Sequence, residues 1–129
     1  MRNDKENLIV ELSFGFALKI IEYAELLESK KKFVVANQIL KSGTSIGANV
    51  HEAQNAESKA DFIHKLKIAA KEADETEYWL KLCSAATSYP TPEGLNTDLT
   101  SIIKVLSKII GTSKRNNQSS NPTIIKSSN

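Results

Sequence analysis

The sequence predicts an all-α protein folded as an antiparallel up-and-down four-helix bundle. Three observations carry that reading. Apolar residues recur in steps of three and four along four separate stretches. The links between the stretches are short, which makes successive helices antiparallel neighbours. No stretch shows the strict apolar–polar alternation of a strand.

The first helix is expected from about Asp4 to Glu28. Ile9, Phe16, Ile20, Tyr23 and Leu27 form its stripe, with Leu12, Ala17 and Ala24 beside it. Asn3 and Glu6 are spaced as a capping pair. The run Ser29-Lys30-Lys31-Lys32 breaks the pattern and reads as a turn, although it contains neither Gly nor Pro. The second helix starts near Phe33, with Ala36, Ile39, Gly43, Ile46, Val50 and Ala53 as its heptad stripe. Gly43 and Gly47 each cost a helix about 1 kcal/mol relative to Ala, so close approach of a neighbouring helix must compensate. The pattern decays at Gln54-Asn55.

Ser58 followed by Asp61 is an N-cap signal for the third helix. Its stripe is Phe62, Leu66, Ala69, Ala73, Thr76, Leu80 and Cys83, and it should end between Ser84 and Ser88. In the loop Tyr89-Pro90-Thr91-Pro92, Thr91 reads as an N-cap and Pro92 as the first residue of the fourth helix. Leu95, Leu99, Ile102, Leu106 and Ile109 follow, flanked by Ile103 and Ile110, and Gly111 reads as the stop. Residues 1–115 are thus read as the bundle. Residues 116–129, rich in Asn and Ser, are read as a disordered tail.

A chain of 129 residues is one domain by size and can bury a real core without disulfides or metal. It has one cysteine, no signal-peptide pattern and no apolar run of membrane-spanning length. The expectation is a soluble cytoplasmic protein with no membrane partner. More apolar surface is present than one core needs. Phe14, Leu18 and Ile21 on the first helix, and Ile68, Trp79 and Leu82 on the third, lie off the core stripes. Two such faces favour a homo-oligomer interface over scattered exposed apolar residues.

Catalytic and metal-binding patterns are incomplete. His51-Glu52 begins like a zinc-protease helix, but Asn55 stands where the second His is required. Asp61 and His64 have di-iron spacing, but such a site needs a second pair and two further carboxylates, and the chain has two histidines. Gly43-Thr44-Ser45-Ile46-Gly47 lacks the Gly-Lys-Ser/Thr of a phosphate loop. Cys83 lies on a core stripe and reads as an inert buried thiol. No catalytic residue, metal site or cofactor is expected. Ser45, Asn49 and Glu52 share one face of the second helix. They read as a polar network that fixes helix register rather than as a binding site.

The formal net charge is +2, too small to imply a polyanionic partner by itself. Folding the bundle on paper separates the charges along its axis. One pole gathers Arg2, Lys5, Lys59, Lys65, Lys67, Lys71, Lys104, Lys108, Lys114 and Arg115, against Asp4, Glu6, Glu11, Glu52, Glu57 and Asp61. The other gathers Glu22, Glu25, Glu28, Glu72, Asp74, Glu75, Glu77, Glu93 and Asp98, with lysines among them. Lys59, Lys65, Lys67, Lys104, Lys108, Lys114 and Arg115 are the candidate nucleic-acid-binding residues, because lysines clustered at one end attract phosphate backbones. The opposing reading is a solvated surface, and no aromatic stacking platform lies among them.

The pattern Leu40-Lys41-Ser42-Gly43-Thr44-Ser45-Ile46-Gly47-Ala48-Asn49-Val50-x-Glu52-Ala53, followed by Ser58-Lys59-x-Asp61-Phe62-Ile63-x-Lys65-Leu66, resembles the 23S rRNA intervening-sequence proteins. So do Glu72-Ala73-x-Glu75-Thr76-x-Tyr78-Trp79-Leu80 and Val10-Glu11-x-Ser13-Phe14-x-Phe16-Ala17. The resemblance spans Leu8 to Ile110; Ala53 stands where many members have Gly. It implies a left-handed bundle that assembles into a homopentameric ring in bacteria. It also implies a link to ribosomal RNA genes and no enzymatic activity. A related group of ring-forming bundles assists reverse transcriptases, which makes an oligomeric scaffold for a protein partner the alternative to RNA or DNA contact.

Overall fold

A computed structural model describes residues 4–119. They form four helices and no strand: α1 (Asp4–Ser29), α2 (Phe33–Ala53), α3 (Lys59–Ala85) and α4 (Leu95–Ser119). The all-α bundle read from the periodicity is borne out. Asn3, the expected capping partner of Glu6, and residues 120–129 of the expected tail lie outside the described residues.

Each link closes by local chemistry. After α1, Lys32 N–H donates to Leu27 O and Lys31 N–H to Glu28 O, both at 2.9 Å, with Lys31 at φ +63°. This is a glycine-type helix stop made by a lysine. Ser58 caps α3 as expected, its hydroxyl accepting from Asp61 N–H at 3.0 Å. Asp61 Oδ2 accepts in turn from Glu57 N–H at 3.2 Å.

Both ends expected for the fourth helix are corrected. Gly94 adopts φ +78°, which no helical residue can, so Pro92 precedes the helix and α4 begins at Leu95. Gly111 does not stop it. Ser113 continues the buried stripe, and the helix runs on through Asn116 to Ser119, into the segment expected to be disordered.

Every expected stripe residue on α2 is buried, as are Leu95, Leu99, Ile102, Leu106 and Ile109 on α4. On α3 the stripe starts at Ile63; Phe62 lies half-buried at its edge. Each helix packs on its neighbours in sequence and α4 closes against α1, while the diagonal pairs meet only through side chains in the core, as Tyr23 of α1 meets Cys83 of α3. Contacts run in opposite order along neighbouring helices. Gly43 faces Ile20 while Gly47 faces Ser13, and Ser42 meets Thr76 while Glu52 meets Lys65.

The buried polar link between α2 and α3 is Ser42–Thr76, with hydroxyl oxygens 2.9 Å apart. Thr76 donates to Glu72 O at 2.7 Å, which leaves Ser42 to donate to Thr76. Thr76→Val therefore strands a buried donor. It should cost about 1–3 kcal/mol in a denaturant melt, and an unchanged midpoint would mean Ser42 finds another acceptor.

Candidate nucleic-acid interface at the basic pole

The start of α1, the start of α3 and the end of α4 meet at one end of the bundle. A cavity there is lined by Asp4, Lys5, Glu6, Lys59, Phe62, Ile109, Thr112, Ser113 and Asn116. Of the candidate cations only Lys59 lines it, and the others do not share one environment. Lys65 Nζ lies 2.9 Å from Glu52 Oε1. That hydrogen bond and attraction raise the lysine's pKa, and they occupy its charge within the protein. Lys59 lines a cavity whose rim also carries Asp4 and Glu6, a mixed-sign setting. Lys67 and Lys114 approach across α3 and α4, and the like charge beside it lowers the pKa of Lys67. Lys104 is exposed on α4.

Lys108 and Arg115 flank a second cleft with Ser107, Gly111, and Lys5 and Thr112, the last two shared with the first cavity. Arg115 Nη2 donates to Thr112 Oγ1 at 3.2 Å, which holds the guanidinium against the helix. Lys5 was absent from the candidate set. Its spacing from Lys108 in sequence gives no signal, and only the α1–α4 contact brings them together.

The three residues read as a register network bond mainly within α2. Ser45 hydroxyl donates to Lys41 O at 2.7 Å and Asn49 Nδ2 to Ser45 O at 2.9 Å. Glu52 alone reaches another helix, through Lys65.

Among the expected interface residues, Phe14 is 66% exposed, Leu18 51%, Leu82 40% and Ile21 39%. Ile68 and Trp79 are half-buried. Trp79 packs against the core, donates Nε1–H to Glu75 Oε2 at 3.2 Å and meets Tyr78 edge-on, ring centroids 5.3 Å apart. At the far pole Lys19 pairs with Asp98 at 2.6 Å, and the Lys32 amine sits 5.0 Å from the Tyr89 ring centroid.

Cys83 is buried, and burial pushes its thiol pKa up, away from nucleophilic use. Tyr23 beside it donates its hydroxyl to Pro90 O at 2.6 Å; burial raises its pKa well above the usual phenol value. His51 and His64 are both exposed. Among the described residues no three of His, Cys, Asp and Glu converge, and no helix is long and apolar enough to cross a membrane.

Residues 5–111 match the family model of the 23S rRNA-intervening sequence protein. A 1.70 Å crystal structure from Bacteroides thetaiotaomicron, described as a protein of unknown function from the S23 ribosomal protein family, is 47% identical. The alignment covers 83% of this chain and 98% of that one, with a TM-score of 0.79. Curated proteins give no match. With the match extending from the first turn of α1 deep into α4, the chain belongs to the 23S rRNA-intervening sequence protein family.

Proposed function

We propose that this protein is a non-enzymatic, cytoplasmic, ring-forming bundle that contacts RNA or DNA through its basic pole. The observation that carries the reading is the pole's residual charge. Glu52 occupies Lys65, yet Lys67, Lys104, Lys108, Lys114 and Arg115 enter no ion pair among the described residues. Their exposure lets them reach a phosphate backbone without disturbing the core. A cyclic homopentamer would repeat the pole around one face, and weak contacts would add by avidity. The ribosomal naming of the Bacteroides relative points the same way.

The exposed apolar faces support the assembly. Gly15 lies between Phe14 and the next turn, and no heavy atom comes within 4 Å of where its Cβ would stand. Nothing within the chain requires a glycine there, whereas a close subunit contact would. The same faces favour the second reading, a scaffold that binds a protein such as a reverse transcriptase.

Fluorescence anisotropy of labelled RNA and DNA across a salt series separates the two. Binding should be poor in base specificity and fall steeply with salt, because each neutralised phosphate releases counterions. A Lys67→Glu, Lys108→Glu, Arg115→Glu variant should stay folded and oligomeric. Its log–log salt slope should drop by about two to three per bound subunit, one for each lost contact. A parent that shows no binding at low salt leaves the protein-scaffold reading standing.

A further inference from the structure

We infer that the cleft between the first turn of α1 and the last turns of α4 is a phosphate-binding subsite. It is lined by Lys5, Ser107, Lys108, Gly111, Thr112 and Arg115 and has a volume of about 410 Å³. This inference rests on the nucleic-acid reading and gives it a specific anchor.

The lining has one sign. Three cations and two hydroxyls face the cleft and no carboxylate does. The larger cavity at the same pole sets Asp4 and Glu6 among Lys5 and Lys59, so its lining is of mixed sign. Among the described residues Lys5, Lys108 and Arg115 enter no ion pair, so their donors are uncommitted to carboxylates. Thr112 already orients Arg115, which limits the freedom the guanidinium loses on binding. Gly111 keeps the floor open. The only heavy atom near its missing Cβ is Arg115 Nη1, at 3.6 Å, so the glycine serves no helix–helix packing.

The chemistry of the lining selects the ligand class. Guanidinium and ammonium groups match phosphate oxygens, and hydroxyls can satisfy a phosphate oxygen or a ribose hydroxyl. Among the described residues no aromatic or large apolar side chain lines the cleft, so they give a base nothing to stack on. The subsite therefore takes a phosphate or sugar-phosphate group and ignores base identity. That group is either a phosphodiester of a bound strand or free inorganic phosphate.

The test is amide NMR titration of the full chain with inorganic phosphate, at ionic strength matched by chloride, beside anisotropy titration with single-stranded RNA. Phosphate should perturb Lys5, Ser107 to Thr112 and Arg115, and leave Lys104 unmoved. Lys5→Gln and Thr112→Val should each weaken phosphate binding by about three- to tenfold, the loss of one charge-assisted hydrogen bond at an exposed site. Lys104→Gln, on the same helix outside the cleft, should not. Shifts spread evenly over all lysines, or a Lys5→Gln titration identical to the parent's, would overturn the subsite. Should RNA binding survive unchanged in Lys5→Gln, the cleft is wrong and the basic pole stands. Phosphate held in the cleft by a protein that does not bind RNA keeps the subsite, makes its ligand free phosphate, and removes the nucleic-acid reading.

Discussion

Gly43→Ala should destabilise the bundle by up to about 2 kcal/mol, although alanine is the better helix former. A Cβ at position 43 would stand 2.8 Å from both Cγ1 and Cγ2 of Ile20 and 3.1 Å from Cδ1. Both Cγ atoms branch directly from Ile20 Cβ, so no single rotation clears them together. Ile20 is fully buried, and α1 itself must move. Overpacking of this kind costs about 1–3 kcal/mol, against about 1 kcal/mol recovered in helix propensity.

Two other glycines supply the controls. A Cβ at Gly47 would lie 3.2 Å from the Ser13 carbonyl oxygen, and backbone cannot rotate away. Alanine there should be nearly neutral, while Gly47→Leu should cost more than about 1 kcal/mol. At Gly111 the nearest atom is the far end of the flexible Arg115 side chain. Gly111→Ala should therefore stabilise by up to about 1 kcal/mol. The measurement is a guanidinium melt at fixed protein concentration, since the proposed oligomer would make apparent stability concentration-dependent. If Gly43→Ala melts later than the parent, close helix approach is not what the glycine serves.

The second large effect is on mass. Sedimentation equilibrium at micromolar concentration should give about five times the 14.2 kDa chain mass. Phe14 and Leu18 project from α1, and Tyr78 and Leu82 from α3, two helices diagonal to each other in the bundle. Apolar faces on opposite corners favour a contact in which one face of a copy meets the other face of the next. Repeated with a rotation that divides a full turn, that contact would close into the proposed ring. A Phe14→Glu, Leu18→Glu double variant puts two charges into the contact without touching the core, because both side chains are already exposed. It should sediment as a monomer with unchanged helix content. A parent that runs as a clean monomer would remove the ring, and with it the avidity on which the basic pole depends.

Local chemistry made much of this fold legible in advance. Apolar recurrence along four stretches fixed the number of helices, and Ser58 with Asp61 fixed the start of α3. The glycines of α2 announced a close neighbour before its identity was known. These signals work because they act within one helix turn, or across the single face a helix must bury. The family, too, was readable from the signatures around Ser42 to Ala53 and Glu72 to Leu80.

What the tertiary structure decided depends on groups brought together from distant parts of the chain. The backbone at Gly94 moved the start of α4, and continued burial at Ser113 carried that helix past Gly111. The buried polar link between α2 and α3 is Ser42–Thr76, one turn from the Ser45–Asn49–Glu52 face that spacing singled out. Lys65 is occupied because Glu52 ends α2 where α3 begins. Lys5 reaches the cleft of Lys108 and Arg115 because α1 packs against α4. Sequence periodicity places a charge on a face and at a height along the axis. Which opposite charge it meets there is set by helix register and side-chain reach, and only the folded chain fixes those.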